Sequence, residues 1–332
     1  MVPDAAAPRR VRRLLGSSVV GAALLLGACS TGSVPGDAAV SSRPAGPSAV
    51  SAEALCTEVV ARSVATSVDG LTEASGLVAS RAHPGVLWTH EDAGSGPELF
   101  PLSPTGSDLG RVTVRGAAAV DWEDIALLPG RDGAPDRLVL GDIGDNPGAD
   151  VRETTPVQVV VVDEPAPGGD PSARAATEVV ASVEVVYEDG SRDAESLLAD
   201  PLTGDVLIVS KQWDLAPAGV YRVPAAALEP GSGTVRVEAE RVATVGGSLA
   251  ALFTSGDVSP DGLLVALRTY TDVRLWDRAP DESVGEALAR PAACRIPVSE
   301  PQGEAVAFTV DGRGLVTLSE GRGAPLLVHH LP

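Results

Sequence analysis

Val120-Asp121-Trp122-Glu123-Asp124-Ile125-Ala126-Leu127-Leu128 begins with carboxylates and continues as an apolar strand. A Gly/Pro/Asp turn follows, and a second apolar run, Arg137–Gly141, leads into Asp142. The same phrase starts again at Glu73 (Glu73-Ala74-Ser75-Gly76-Leu77), Glu195 (Glu195-Ser196-Leu197-Leu198), Asp257 (Asp257-Val258-Ser259-Pro260) and Glu304 (Glu304-Ala305-Val306-Ala307-Phe308). The successive starts lie 50, 72, 62 and 47 residues apart. Self-similarity on this scale marks a repeat architecture rather than one long mixed domain.

Outward from these starts, period-2 alternation and turn residues dominate, and no long amphipathic helix stands out. The first repeat predicts strands at Ser75–Ser80, Val86–Thr89, Glu98–Ser103 and Arg111–Arg115. The second predicts Asp124–Leu128, Arg137–Gly141, Val157–Asp163 and Val179–Tyr187; the third, Ser196–Ala199, Val206–Ser210, Gly219–Val223 and Thr234–Val245. The fourth has Val258, Leu263–Leu267, Val273–Trp276 and Cys294–Val298. The fifth stops after three strands, Ala305–Thr309, Leu315–Leu318 and Leu326–His330, while Glu58–Val68 is a spare strand ahead of the first repeat. A radial propeller closes in this way, an N-terminal strand completing the last blade so that no edge stays open. The expected fold is an all-β propeller of five blades, or six if the long second repeat hides a division.

Residues 1 to 29 read as an export signal, with a basic Arg9-Arg10-Val11-Arg12-Arg13 ahead of an apolar run from Leu14 to Leu26. Its end, Leu26-Gly27-Ala28-Cys29, resembles the bacterial lipobox, which implies lipidation of Cys29 and anchoring to the outer face of the cytoplasmic membrane. The competing reading is an ordinary signal peptide or an N-terminal anchor, and both Sec and twin-arginine export stay open. Residues 30 to 51, rich in Ser, Gly, Pro and Ala, cannot bury enough surface to order themselves and read as a tether to a propeller domain spanning residues 52–332. Export implies an oxidising compartment, so the even pair Cys56 and Cys294 is expected to form a disulfide stapling the closure.

Hydrophobic residues make up 44% of the chain, enough for a core, and the formal charge is −20. Removing residues 1–29, whose Arg9, Arg10, Arg12, Arg13 and Asp4 sum to +3, takes −20 to −23. So acidic a body argues against nucleic acid or an anionic lipid surface as partner, leaves the lipid as its membrane contact, and suits a monomer that collects cations.

In a propeller the entry to strand one and the exit from strand two share one end of the channel. That geometry brings together Glu73, Glu123, Glu195, Asp257 and Glu304, and beside them His90, Glu91 and Asp92; Asp142 and Asp145; Lys211 and Asp214; Arg268 and Asp272; Glu320 and Arg322. Acids facing one axis must share protons, pair with Lys211, Arg268 or Arg322, or hold cations. An oxygen-rich ring of this kind suits Ca²⁺. The competing reading is that each acid caps backbone N–H groups at a blade junction. Gly141-Asp142-Ile143-Gly144-Asp145-Asn146 is the most site-like local stretch, because its glycines permit a tight turn that gathers three oxygen-bearing side chains. Trp122 is expected to pack between blades. No Cys/His cluster suits zinc, no Gly-x-Ser-x-Gly elbow is present, and His90 is the one histidine placed to act as a base.

The phrases Glu73-Ala74-Ser75-Gly76-Leu77, Asp121-Trp122-Glu123-Asp124-Ile125-Ala126, Gly141-Asp142-Ile143-Gly144-Asp145-Asn146 and Gln302-Gly303-Glu304-Ala305 resemble the bacterial phytase-like and esterase-like propellers. The resemblance spans about residues 70 to 322. It implies a calcium-lined acidic mouth in which Glu123, Glu195 and Glu304 serve the metal and Lys211 and Arg268 hold phosphate. Two functions are therefore expected to compete. One is cation-dependent binding of an anionic or polyhydroxylated ligand, with phosphoester or ester hydrolysis if the protein is an enzyme. The other is a non-catalytic envelope module for a protein or glycan.

Overall fold

The computed structural model describes residues 50–332, except 66, 67, 69, 93, 146–155, 214, 215, 232 and 247–251. Cys29, most of the tether, Asn146 and Asp214 lie outside the described residues. A short helix, α1 (Ala52–Glu58), precedes β1 (Val60–Ala65). Ser51 caps α1, its Oγ accepting the Ala54 N–H at 3.2 Å.

The chain then builds antiparallel meanders in sequence order. The first is β2 (Ala74–Ala79), β3 (Leu87–Glu91), β4 (Glu98–Leu102) and β5 (Arg111–Arg115). The second is β6 (Trp122–Leu128), β7 (Arg137–Asp142), β8 (Val157–Asp163) and β9 (Arg174–Tyr187). The third is β10 (Ala194–Ala199), β11 (Val206–Ser210), β12 (Ala218–Val223) and β13 (Thr234–Val245). The fourth is β14 (Phe253–Val258), β15 (Leu264–Thr269), β16 (Asp272–Asp277) and, after helix α2 (Val284–Leu288), β17 (Cys294–Pro297). The last is β18 (Gly303–Phe308), β19 (Gly314–Ser319) and β20 (Leu326–His330), and β1 pairs antiparallel with β20 as its fourth strand.

The first strands of successive meanders touch in turn, β2 with β6, β6 with β10, β10 with β14, β14 with β18 and β18 with β2. The cores follow the same circuit. Val78 and Trp88 of the first meander pack with Ile125 and Leu138 of the second; Val139 and Ala126 pack with Ile208 and Leu197; Leu207 and Val209 with Val265 and Trp276; Ala266 and Val273 with Val306 and Leu315; Ala307 and Val316 with Leu77 and Leu87. Alternate residues of one strand thus serve different neighbours, which is why these strands read as unbroken apolar runs. The architecture is all-β and propeller-like.

Two features depart from the sequence expectation. β9 begins at Arg174 rather than Val179; its first half pairs parallel with β5 and its second half with β13. Outer edges that a propeller normally leaves exposed are joined there, which removes them as sites for intermolecular pairing. The sequence pattern placed no helix, and α1 and α2 are both too short for periodicity to register; α2 buries Val284 and Leu288, and α1 buries Ala52 and Leu55. It also carries Cys56, which is bonded to Cys294 with the Cα atoms 6.3 Å apart.

Candidate functional site in the channel mouth

Each inner strand carries a β-bulge near its start, where one residue is skipped in pairing with the second strand. The skipped residues are Gly76, Glu123, Glu195, Thr254 and Glu304. A bulge re-aims a side chain out of the ladder. Neighbouring hydroxyls take up the freed carbonyls: Thr89 Oγ1 donates to Ser75 O and Gly76 O, Ser75 Oγ to Glu123 O, and Thr254 Oγ1 to Gly303 O. At Gly76 the backbone is left-handed, and a Cβ would lie 2.7 Å from His90 Nε2, so no acid can stand there.

A cavity of about 220 Å³ opens over these bulges and is lined by Glu123, Glu195, Glu304, Glu73, Asp92 and Glu320, with Ser75, Lys211, Trp213, Tyr270 and Gln302. Glu123, Glu195 and Glu304 are buried, while Glu73 sits exposed on the rim, three residues ahead of its bulge. Carboxylate oxygens of Asp92, Asp121 and Glu123 lie within 4.8 Å of one another, and so do those of Glu123, Asp193 and Glu195. Glu123 belongs to both groups. Its Oε1 is buried and has no hydrogen-bond partner among the described residues.

Burial, and then the charges of Glu195, Asp92, Asp121 and Asp193, hold the Glu123 carboxyl well above the ordinary carboxylate range. Burial raises Glu195 to about 8 although Lys211 pulls the other way. Glu304, also raised mainly by burial, sits at about 7. Lys211 is buried as well, but Glu195 and Tyr270 more than offset that penalty and its pKa is raised. Its Nζ pairs with Glu195, bonds Tyr270 Oη at 2.7 Å, and lies 4.8 Å and 5.0 Å from the Trp213 and Tyr270 ring centroids. Gly144 permits the acids to converge: a Cβ there would fall 2.1 Å from Glu123 Oε1 and 2.3 Å from Asp121 Oδ2.

Several residues grouped by sequence lie elsewhere. Asp257 stands three residues beyond the bulge at Thr254; its oxygens accept the Val258 and Phe308 N–H groups at 2.8 and 2.7 Å, so it caps a strand junction and does not line the cavity. Asp142 accepts the Asp121 N–H at 2.8 Å and braces the loop instead of the cavity wall. Asp145 borders a separate recess with Tyr187, Arg192 and Arg236. His90 is fully buried edge-on to Trp122, with burial lowering its pKa to about 4, and it does not line the cavity. Arg268 is sealed against Glu300, both side chains wholly buried, and Arg322 is exposed outside the lining. Trp122 packs between meanders as expected.

Asp121, Asp193, Trp213, Tyr270 and Gln302 were not singled out by sequence. Asp193 lies two residues ahead of Glu195, and Asp121 two ahead of Glu123; that shared spacing was the available signal. Asp193 accepts the Asp145 N–H and the Trp213 Nε1–H, each at 3.0 Å.

No family model matches the chain, and no curated protein matches it. Among solved structures it is similar to a gluconolactonase from Xanthomonas campestris, at 14% identity and a TM-score of 0.48 over 88% of this chain and 99% of that one. It is also similar to the PQQ domain of a pyranose dehydrogenase from Coprinopsis cinerea, at 11% identity and 0.46 over 82% and 95%. A calcium structure of a Trichoderma reesei carbohydrate-active enzyme of family AA12 scores 0.45 at 12% identity over 77% and 80%. At these scores the function has to be read from the residues of the cavity itself.

Proposed function

We propose that this chain is a five-bladed propeller, exported and anchored through lipidated Cys29, whose acidic mouth binds a divalent cation, Ca²⁺, and through it a polar ligand from outside the membrane. The observation that carries the reading is the buried, unpartnered Oε1 of Glu123, a residue that belongs to two groups of carboxylates. A buried carboxylate oxygen without a donor is costly unless a proton or a cation meets it. Oxygens bound to one Ca²⁺ at roughly 2.3–2.6 Å lie within about 5 Å of one another, the spacing found here. Glu123 with Asp92 and Asp121, or with Asp193 and Glu195, would hold the ion. When bound it would supply a Lewis acid and an activated water for ester or phosphoester hydrolysis. Glu304, with its pKa near neutrality, is suited to exchange a proton at the cavity wall.

A non-catalytic envelope module that binds a protein or glycan is the second reading, favoured by the burial of His90, which leaves no imidazole on the cavity wall among the described residues. The deciding experiment is a melt in chelator and in Ca²⁺, paired with turnover of a generic phosphate ester. Ca²⁺ at a hundred times its Kd is expected to stabilise the protein by about 2.7 kcal/mol, and Glu123→Gln to abolish the effect. A protein indifferent to Ca²⁺ sinks the metal reading, whereas stabilisation without turnover leaves the binding module.

A further inference from the structure

We infer that the ligand of this cavity is a neutral polyhydroxylated molecule, a sugar, that stacks on Trp213 and donates its hydroxyls to the surrounding carboxylates. The inference rests on the cation-site reading and narrows it.

The first argument is charge. Six carboxylates and one ammonium line the cavity. That ammonium, Lys211, is already paired with Glu195 and bonded to Tyr270. Arg268, the other cation expected to meet an anion, is closed off by Glu300. With the carboxyls ionised, as a bound cation favours, one divalent ion leaves the wall negative, and a phosphate or carboxylate ligand meets repulsion on most sides.

The second argument is hydrogen-bond polarity. Ionised carboxylates, which a bound cation favours, only accept, and most of the wall's own donors are engaged: Gln302 Nε2 donates to Glu304 and Glu320, and Lys211 Nζ to Glu195 and Tyr270. The complementary ligand is therefore rich in donors. Hydroxyl groups satisfy that without adding charge.

The third argument is the platform. Trp213 is half exposed on the cavity wall, and its Nε1–H bond to Asp193 fixes the indole. Lys211 already occupies the cation-attracting space between Trp213 and Tyr270. An amine ligand would have to compete with it, whereas the C–H face of a sugar ring can lie on the exposed indole.

Trp213 also supplies the readout, since Trp88, Trp122 and Trp276 are 0%, 1% and 2% exposed. In saturating Ca²⁺, tryptophan emission is to be titrated with glucose, galactose, cellobiose and sorbitol. The phosphate ester of glucose, inorganic phosphate and a short diamine serve as charged counterparts. A neutral sugar is expected to shift the emission, and its added thermal stabilisation is expected to require at least tenfold more ligand in Trp213→Ala. A response to the phosphate ester or the diamine alone overturns the inference. So does silence to every neutral probe while Ca²⁺ still stabilises the protein, which would leave the cation site standing. A protein that ignores Ca²⁺ fails at the earlier step, by a separate measurement.

Discussion

Asp124 Oδ2 accepts the Gly256 N–H at 3.0 Å, joining β6 to β14 across 132 residues of sequence. The same oxygen accepts the Leu197 N–H at 2.8 Å, while Oδ1 accepts the Ile125 N–H and the Ser255 hydroxyl. Ser255 Oγ in turn accepts the Val306 N–H at 3.2 Å. One fully buried carboxyl, one residue beyond the bulge at Glu123, therefore ties inner strands of three meanders and reaches a fourth through Ser255.

Asp124→Ala would strand three buried backbone donors together with the Ser255 hydroxyl. Each such loss typically costs about 1–3 kcal/mol. The variant is expected to lose at least about 3 kcal/mol in urea unfolding, with a midpoint far below wild type. A loss under about 1 kcal/mol would show that the inner strands hold without this hub.

Gly144→Ala tests convergence without touching a carboxylate. The added Cβ meets the Glu123 and Asp121 carboxyl groups first and has to displace them. Unfolding in chelator is expected to change little, while Ca²⁺ affinity falls by tenfold or more, as read by the melting shift. Unchanged affinity would remove Glu123 and Asp121 from the proposed ion site.

The pH dependence follows from acids whose folded pKa lies above the unfolded value. Burial first, partly offset by N–H groups of Phe308 and Val258, raises Asp257 to about 7; Glu304 stands at about 7 and Glu195 at about 8. These acids therefore bind more protons in the folded state than in the unfolded chain between roughly pH 4 and 8. The stabilisation is full below that window and is lost as pH rises through it. In chelator the melting temperature is expected to be higher at pH 5 than at pH 8.5. Ca²⁺ is expected to narrow the difference, because it stabilises the ionised forms at the mouth but not Asp257.

Reduction of Cys56–Cys294 releases α1 from β17, and the bond closes 238 residues of chain. Loss of a native disulfide typically costs about 2–5 kcal/mol. Urea unfolding of the Cys56→Ser, Cys294→Ser double variant is expected to show a loss in that range. A neutral result would mean that β1–β20 pairing alone holds the closure.

The alternating apolar strands, the repeated phrase around Glu123, the N-terminal strand that pairs with β20 and the Cys56–Cys294 bond were legible in the sequence. Each depends on periodicity along the chain or on residue chemistry, both of which the chain states locally. Membership of the cavity was not. Asp257 opens a phrase that looks like the one at Glu123, yet the pairing skips Thr254, three residues earlier, and leaves Asp257 as a junction cap. A side chain in a strand changes face with every residue, so the position of one bulge decides whether an acid meets the channel or a neighbouring strand. Partners acting across space decided the rest: Glu300 sealed Arg268, Gly144 let Glu123 approach Asp121, and the chain between β11 and β12 brought Trp213 to the wall. Those relations join residues far apart in sequence, and only the folded packing sets them.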